Sequence, residues 1–259
     1  MIDTTLGQQP KAALGIGSLI GETCSIYARY FLPITIVAFV FGAIGLAISI
    51  PIVGFDSAIG IKQPQVADLG ILIVSYSSTV VKIAIGSFAT ALLLQLAYDA
   101  KLGRPIQFGR YFGPALSAIV PLVILSLVQS ISFTIGLVFL IVPGLWIYAV
   151  FSVMDPAVVI ERAGFRGLHR SASLTKNYRW LLVGLFALML ILIFSLDFAA
   201  TFLAKIIVPA AGMATGLILI AALNALGKGF AIVLITLIYA RLREIKEGVS
   251  VHQITSVFD

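Results

Sequence analysis

The sequence predicts an all-α polytopic membrane protein, and three observations lead to this fold class. Of the 259 residues, 60% are hydrophobic and only 11% are charged, whereas about 25% of the residues in an ordinary soluble domain are charged. The apolar residues form long runs, and about 20 helical residues suffice to cross the hydrocarbon core of a bilayer. The runs lack the strict alternation of lipid-facing barrel strands, and a helix satisfies its own backbone hydrogen bonds where lipid offers no partner.

Six transmembrane helices are predicted, and we expect them to form three hairpins entered from the cytoplasm. The six spans cover residues 31–54, 69–98, 113–140, 143–160, 180–206 and 210–240. We predict one membrane domain over residues 1–259. Its parts are an interfacial helix at 11–31, spans one to four within 31–160, a second interfacial helix at 160–178, spans five and six within 180–240, and a cytoplasmic tail at 241–259.

The distribution of the seventeen Lys and Arg residues predicts the orientation of the chain. Thirteen of them fall before span one, between spans two and three, between spans four and five, or after span six, and only Lys62 and Lys205 fall on the other side. Basic residues accumulate in cytoplasmic loops, so both termini are expected in the cytoplasm. The first thirty residues lack the apolar core of a signal peptide, and we expect none to be cleaved.

Each odd-numbered span is preceded by an arginine beside an aromatic residue. "RYFLP" at 29–33 and "RYFGP" at 110–114 are nearly identical, and "YRWLL" at 178–182 is a looser version. Arginine reaches phosphate and water while the aromatic ring lies at headgroup level, which makes these pairs interfacial anchors. Such pairs fit a three-hairpin repeat and also fit the general tendency of membrane helices to begin in this way. The six anchor residues are Arg29, Tyr30, Arg110, Tyr111, Arg179 and Trp180.

The two predicted interfacial helices have a polar and an apolar side. In the second of them, Arg162, Arg166 and Arg170 recur at every fourth position, which is amphipathic helical spacing. Together with Lys176 and Arg179 they are expected to contact anionic lipid headgroups or a protein partner. Membrane orientation explains the net charge of +6, so we expect no nucleic acid as a partner.

Three charged residues, Lys82, Asp197 and Lys228, are predicted to lie deep in the bilayer, where a charge costs at least about 2.5 kcal/mol. At about 1.5 Å per residue, Lys82 and Asp197 both lie roughly 24 to 25 Å from the cytoplasmic boundary, and Lys228 lies about 18 Å from it. We predict an ion pair between Lys82 and Asp197, with Lys228 as a competitor or third member. Such a cluster is either a clamp between hairpins or part of a path for protons or solutes.

Motifs for catalysis or metal binding do not occur in the sequence. It has one cysteine and two histidines, and it lacks a nucleophile elbow, a Walker loop and an H-E-x-x-H or C-x-x-C motif. We therefore expect no catalytic residues, no metal and no cofactor.

"IVPGLWIYAVFSVMDPAVVIE" at 141–161 and "GLHRSASLTKNYRW" at 167–180 carry a resemblance to a known family. With them the chain resembles a bacterial six-helix inner-membrane family that includes YciC-type proteins and the membrane domain of some glycerophosphoryl diester phosphodiesterases. The residues that carry the resemblance are Pro143, Gly144, Pro156, Glu161, Leu168, Arg170, Ser171, Leu174, Tyr239 and Arg243. The resemblance implies a multi-pass protein of the bacterial inner membrane and supplies no catalytic residues.

These observations favour a non-enzymatic membrane protein that acts as a lipid-contacting scaffold or accessory subunit, with membrane lipids and a membrane protein as its partners. The alternative is a small-solute or proton-coupled transporter that uses Lys82, Asp197 and Lys228 as a polar region. An intramembrane enzyme ranks third.

Overall fold

The computed structural model describes residues 14–54 and 69–248, and every regular element in these two ranges is helical. Residues 11–13 of the predicted first interfacial helix, Lys62, and residues 249–259 of the predicted tail lie outside the described ranges. The described residues form nine α-helices and one 3-10 turn. They are α1 (Ile16–Arg29), α2 (Phe31–Val53), α3 (Leu69–Lys101), α4 (Phe108–Phe139), α5 (Ile141–Phe151), α6 (Met154–Ile160), the 3-10 turn Gly164–Arg166, α7 (Gly167–Leu174), α8 (Arg179–Ala211) and α9 (Met213–Glu247).

Six stretches of these helices are long and apolar enough to cross a membrane, as the sequence predicts. They are Phe31–Ile52, Thr79–Lys101, Phe108–Val138, Ile141–Ile160, Arg179–Ala211 and Met213–Glu247. Their outer faces carry large apolar side chains, and Leu32, Phe194 and Phe198 are each about two-thirds exposed or more. An apolar surface of this extent is stable against lipid and not against water. The chain is therefore a multi-pass membrane protein.

Three predicted segments have a different secondary structure from the one expected. Span four is two helices, because α5 ends at Phe151 and α6 begins at Met154, next to Pro156, which has no N–H for the helical ladder. Residues 160–178 form the 3-10 turn and the short α7, not one interfacial helix. Arg162 and Gly164 both have positive φ, which a continuous helix does not allow. Part of the predicted tail is helical, since α9 continues to Glu247.

The longest helix, α9, is central to the bundle and packs against α1, α2, α3 and α8. Its buried side chains include Tyr239 and Ile238, both fully buried. At Gly229 the neighbouring helices come close: a Cβ atom there would lie 2.7 Å from Ile34 Cγ2 and 3.1 Å from Tyr27 Cε2. Glycine allows α9 to approach α1 and α2 more closely than a larger residue would.

The buried core is concentrated in one half of the molecule. It joins α1, the last turns of α3, α6, α7, the first turns of α8 and the last turns of α9, with Leu96, Met154, Leu174 and Phe186 among its most buried members. In the other half the described buried cluster is small and consists of Ala200, Ala204 and Ile220. The apolar face of α1 (Leu19, Ile26) belongs to the large core, so this face packs on the protein.

Candidate functional site

Basic segments from distant parts of the chain meet at one end of the bundle. Lys101 at the end of α3 pairs with Glu22 of α1, and Arg170 of α7 pairs with Glu247 at the end of α9. Lys246 donates to the backbone carbonyl of Ser173 at 3.0 Å. We call this region, formed by α1, the α3–α4 connection, residues 161–179 and the last turns of α9, the basic end.

Glu161, which directly follows α6, is the centre of a hydrogen-bonded network at the basic end. Its carboxylate accepts two hydrogen bonds from Arg170, both 2.7 Å long, and one from the hydroxyl of Tyr239, also 2.7 Å. Arg243 Nε lies 3.7 Å from the same carboxylate and donates to Glu247 at 2.9 Å. A bidentate arginine pair of this kind fixes orientation as well as charge. The network attaches the segment after α6 to the end of α9.

The pKa values of Glu161 and Arg170 follow from the contacts that these two side chains make. Burial by itself raises the pKa of the Glu161 carboxyl, but the hydrogen bonds from Arg170 and Tyr239 and the charges of Arg170 and Arg243 outweigh it, so the pKa lies below its ordinary value. The hydrogen bond to Glu161 in turn raises the pKa of the Arg170 guanidinium. Glu161 and Arg170 are therefore both charged at neutral pH.

The break between α5 and α6 is closed by side chains from α7 and the residue that follows it. The hydroxyl of Ser171 donates to the carbonyl of Val150 at 2.8 Å and accepts from the N–H of Val153 at 3.2 Å. Thr175 Oγ1 lies 3.2 Å from the same Val150 carbonyl. Backbone groups released by a helix break need such partners in an apolar environment. Glu161, Arg170, Ser171 and Tyr239, from three separate segments, thus lie close together in the structure.

The five residues predicted to contact lipid headgroups have different environments. Arg170 is held inside the protein by Glu161 and Glu247. Arg179 lies 4.9 Å from the ring centroid of Trp146 and donates to the Ala172 carbonyl. The other three, Arg162, Arg166 and Lys176, are exposed and form no ion pair with any described residue.

The predicted interfacial anchors also differ from one another. Arg29, Arg110 and Trp180 are exposed, and Tyr30 is half-buried. Tyr111, by contrast, is 3% exposed, and its hydroxyl donates to Asp99 at 2.8 Å. Its ring therefore packs between α3 and α4, an environment that the sequence repeat does not indicate.

Lys82 and Lys228 line one cavity of about 440 Å³ between α2, α3 and α9. Its other polar lining residues are Ser49, Thr90 and Asn224, and no carboxylate lines it among the described residues. Because Ile34 in the first turn of α2 lies against Gly229, Lys228 lies near the level at which α2 begins.

Asp197 lies outside this cavity, in a shallow depression on the surface of α8 with Phe194 and Phe198. In the described part of the chain no ion pair joins it to Lys82. Lys228 lies nearer to Asp197, because α8 and α9 are neighbours and Leu196 lies against Gly227. The structure thus brings Lys82 and Lys228 together and separates Lys82 from Asp197. Equal depth does not specify which side of a helix a residue occupies.

One partly buried acid was not singled out from the sequence. Asp155 of α6 lines a cavity of about 200 Å³ with Ser87, Thr90 and Ser126, and its Oδ1 is buried with no hydrogen-bond partner in the described ranges. Its position inside predicted span four was the signal that could have identified it, by the reasoning applied to Lys82.

Comparison of the chain with models of known protein families, with curated proteins and with solved structures found no match.

Proposed function

We propose that this chain is a non-enzymatic, multi-pass protein of the bacterial cytoplasmic membrane that acts as a lipid-contacting scaffold or accessory subunit. Both termini and the basic end face the cytoplasm, the spans form three hairpins, and α1 and the 160–178 segment lie at the membrane surface. The proposal includes a relationship to the six-helix inner-membrane family that the sequence resembles. Anionic lipid headgroups are the expected partners, with a membrane protein as a further one.

The observation that supports this proposal is the surplus of unpaired positive charge at the basic end. The carboxylates there are already engaged: Glu22 pairs with Lys101, Glu161 with Arg170, and Glu244 with Arg241. Six cations make no ion pair or side-chain hydrogen bond with any residue in the described ranges, and these are Arg29, Arg104, Arg110, Arg162, Arg166 and Lys176. Each basic residue near an anionic leaflet contributes about 1 kcal/mol of attraction.

Lipid retention by the purified protein tests this proposal. The full chain is exchanged through detergent into an equimolar mixture of phosphatidylglycerol and phosphatidylcholine, and the lipids that remain bound are quantified. We expect several-fold enrichment of phosphatidylglycerol, and loss of the enrichment when all six unpaired cations are changed to Gln. Lys205→Gln, at an exposed lysine of the opposite end, is the control and keeps the enrichment. Equal retention of the two lipids by the unmodified chain would refute the proposal.

A transporter is the second candidate, and the cavity that holds Lys82 and Lys228 favours it. Two lysines without a lining carboxylate, together with Asn224 and Ser49, form a site that suits a small anion more than a proton. Buried charges kept for a function usually reduce stability, whereas charges in a structural clamp contribute to it.

Replacement of Lys82 by methionine, an apolar residue of similar length, distinguishes a role in anion transport from a structural role. If Lys82 serves an anion path, Lys82→Met raises the unfolding temperature in detergent and reduces chloride or phosphate flux in proteoliposomes. If Lys82 is a structural residue, the same change lowers the unfolding temperature, and no anion flux is found with the unmodified chain. Asp197→Asn, outside the cavity, serves as the comparison.

A further inference from the structure

A second cavity, of about 580 Å³, lies at the basic end between α3, α4 and α6. Three arginines from separate segments line it: Arg104 from the α3–α4 connection, Arg110 from the first turn of α4, and Arg162 after α6. Asp99 is the acidic residue among those that line the cavity, and it accepts a hydrogen bond from the hydroxyl of Tyr111. Three arginines thus line one space whose lining includes a single acidic residue.

Unlike Arg170 and Arg243 nearby, the three arginines of this cavity are not paired with an acid in the part of the chain that the structure describes. Arg170 and Arg243 are held by Glu161 and Glu247. Within residues 14–54 and 69–248, the side chains of Arg104, Arg110 and Arg162 form neither a hydrogen bond nor an ion pair. Like charges that line one space repel one another, and an anion bound between them would lower this repulsion.

The backbone at Arg162 is strained in a way that serves this arrangement. Its φ is 55°, in the left-handed region that costs a residue with a side chain about 1 kcal/mol or more. The preceding residue, Glu161, is fixed towards Arg170 and Tyr239. The left-handed turn lets adjacent side chains serve two sites, with Glu161 in the ion network and Arg162 in the cavity.

A groove of about 230 Å³, lined mostly by apolar residues, adjoins the cavity along α4. Pro114, Val159 and Arg162 line both spaces, and the groove extends past Ala118 to Pro121. Beside the groove, α4 exposes Leu116 and Val120, as lipid-facing helices do. A cationic cavity that leads into an apolar groove on a membrane-facing helix matches an amphiphile with a charged head and an acyl tail.

We propose that Arg104, Arg110 and Arg162 bind the phosphate of an anionic glycerophospholipid, with one acyl chain lying in the groove between Pro114 and Pro121. Phosphate fits because the guanidinium group donates two parallel hydrogen bonds to phosphate oxygens. A membrane lipid fits better than a soluble phosphate because the groove adjoins the cavity. This proposal rests on the proposed lipid-contacting function and assigns the contact to one site.

Native mass spectrometry of the full chain in detergent, titrated with dioleoyl phosphatidylglycerol, tests the site. The test variant carries Arg104→Gln, Arg110→Gln and Arg162→Gln. The matched control carries Arg29→Gln, Arg166→Gln and Lys176→Gln, which removes the same charge from the same end. Since each cation near a lipid phosphate contributes roughly fivefold in affinity, we expect the test variant to lose on the order of 100-fold and the control less than about fivefold.

Equal losses in the two triple variants would overturn the site and leave the general lipid-contacting function intact. If the unmodified chain does not prefer phosphatidylglycerol to phosphatidylcholine, the proposed function fails together with the site. Should the triple variant not fold, Arg104→Gln and Arg110→Gln are tested singly, because neither side chain has a protein partner to lose among the described residues. Each is expected to lose roughly fivefold, and unchanged affinity in both would overturn the site.

The source of the phosphate is decided by a competition with sn-glycerol 3-phosphate, which has the head but no tail. We expect it to displace the lipid only at concentrations at least about 100-fold above that of the lipid. Displacement at equal concentration would point to a soluble ligand and overturn the lipid assignment.

The variant Ser117→Trp places a ring in the groove and should weaken lipid binding at least fivefold without changing glycerol 3-phosphate binding. The control Ser130→Trp, at an exposed position of the same helix outside the groove, should bind lipid as the unmodified chain does.

Discussion

Glu161 joins elements that lie 78 residues apart in the chain through its hydrogen bond to Tyr239. Its side chain is 18% exposed and that of Arg170 is 28% exposed, so solvent screens the pair only in part. Loss of the carboxylate charge would leave Arg170 without its bidentate partner, and partly buried charges need such partners. Glu161 therefore helps to attach the 161–174 segment to α9, together with the Arg170–Glu247 ion pair and the hydrogen bond from Lys246 to Ser173.

Glu161→Gln should lower the free energy of unfolding by about 2 kcal/mol, the range for hydrogen bonds to charged groups. Glu244→Gln is the matched control, because Glu244 pairs with Arg241 three residues away on the exposed surface of α9, where ion pairs contribute about 0–1 kcal/mol. The measurement is the unfolding midpoint of each variant in the same detergent. Equal midpoints for the two variants would show that the network does not stabilise the fold.

The lowered pKa of Glu161 also predicts a dependence of stability on pH. A carboxyl with a folded-state pKa below the unfolded value stabilises the protein above the unfolded pKa, and this contribution is lost as pH falls through the folded pKa. The ordinary value is 4.5, so the loss should occur below roughly pH 4.5. We expect the unfolding midpoint of the unmodified chain to fall more steeply with acid in this range than that of Glu161→Gln. Parallel pH profiles would contradict this assignment.

Sequence reasoning identified Lys82, Asp197 and Lys228 as deep charges, overlooked Asp155, and did not predict that Lys82 and Asp197 lie apart. Lys82 and Asp197 have matching positions along their helices, yet they lie on different surfaces of the bundle, because position along a helix does not specify rotation about its axis. No pattern in the sequence predicts the contacts of Glu161, because its partners Arg170 and Tyr239 are distant along the chain. The three residues were listed together only as part of the resemblance to a known family. A single sequence contains no information on which of several acids pairs with which cation.

The close approach of α9 to α1 and α2 is the clearest packing feature among the elements. At Gly229 a methyl group would meet Ile34, which is 1% exposed and cannot move into solvent. The hydroxyl of Tyr27 donates to the carbonyl of Leu226 at 3.2 Å in the same contact. The junction of α1 with the bundle thus depends on the absence of a side chain at this position.

Gly229→Ala should destabilise the protein by about 1–2 kcal/mol, as expected for an added methyl group in a packed interface. Gly184→Ala is the control, because a Cβ atom at the exposed Gly184 of α8 meets nothing within 4 Å. There alanine should be neutral or stabilising by up to about 1 kcal/mol through its higher helix propensity. Thermal unfolding in detergent distinguishes the two, and a Gly229→Ala variant as stable as Gly184→Ala would contradict the close approach.

Hydropathy predicted the number of long helices but not the division of span four. The segment 143–160 contains Ser152, Asp155 and Pro156, yet its average hydropathy is high enough that it is predicted as one span. The break before Pro156 is stabilised by Ser171 and Thr175, which follow in a segment that hydropathy treats as a surface loop. Helix breaks that depend on distant side chains are not visible to a method that averages along the chain.

At the scale of the whole molecule, the sequence predicted a set of lipid-facing spans, and the structure adds that the core is concentrated at the basic end. Leu96, Leu174 and Tyr239, from three separate elements, are nearly or fully buried there. The sequence could not show this, because the hydropathy of a residue that faces lipid equals that of a residue in a protein core. The concentration of the core explains how charged segments at this end hold fixed positions.

The membrane orientation of the basic end is the central claim, because both the lipid-contacting function and the arginine site depend on it. The most direct measurement labels single cysteines in intact bacteria with a membrane-impermeant thiol reagent, in a Cys24→Ser background. The exposed positions 169 on α7 and 210 near the end of α8 report the two ends of the bundle. We predict that the Ala210→Cys variant is labelled in intact cells and the His169→Cys variant only after permeabilisation. Labelling of the His169→Cys variant in intact cells would contradict the account.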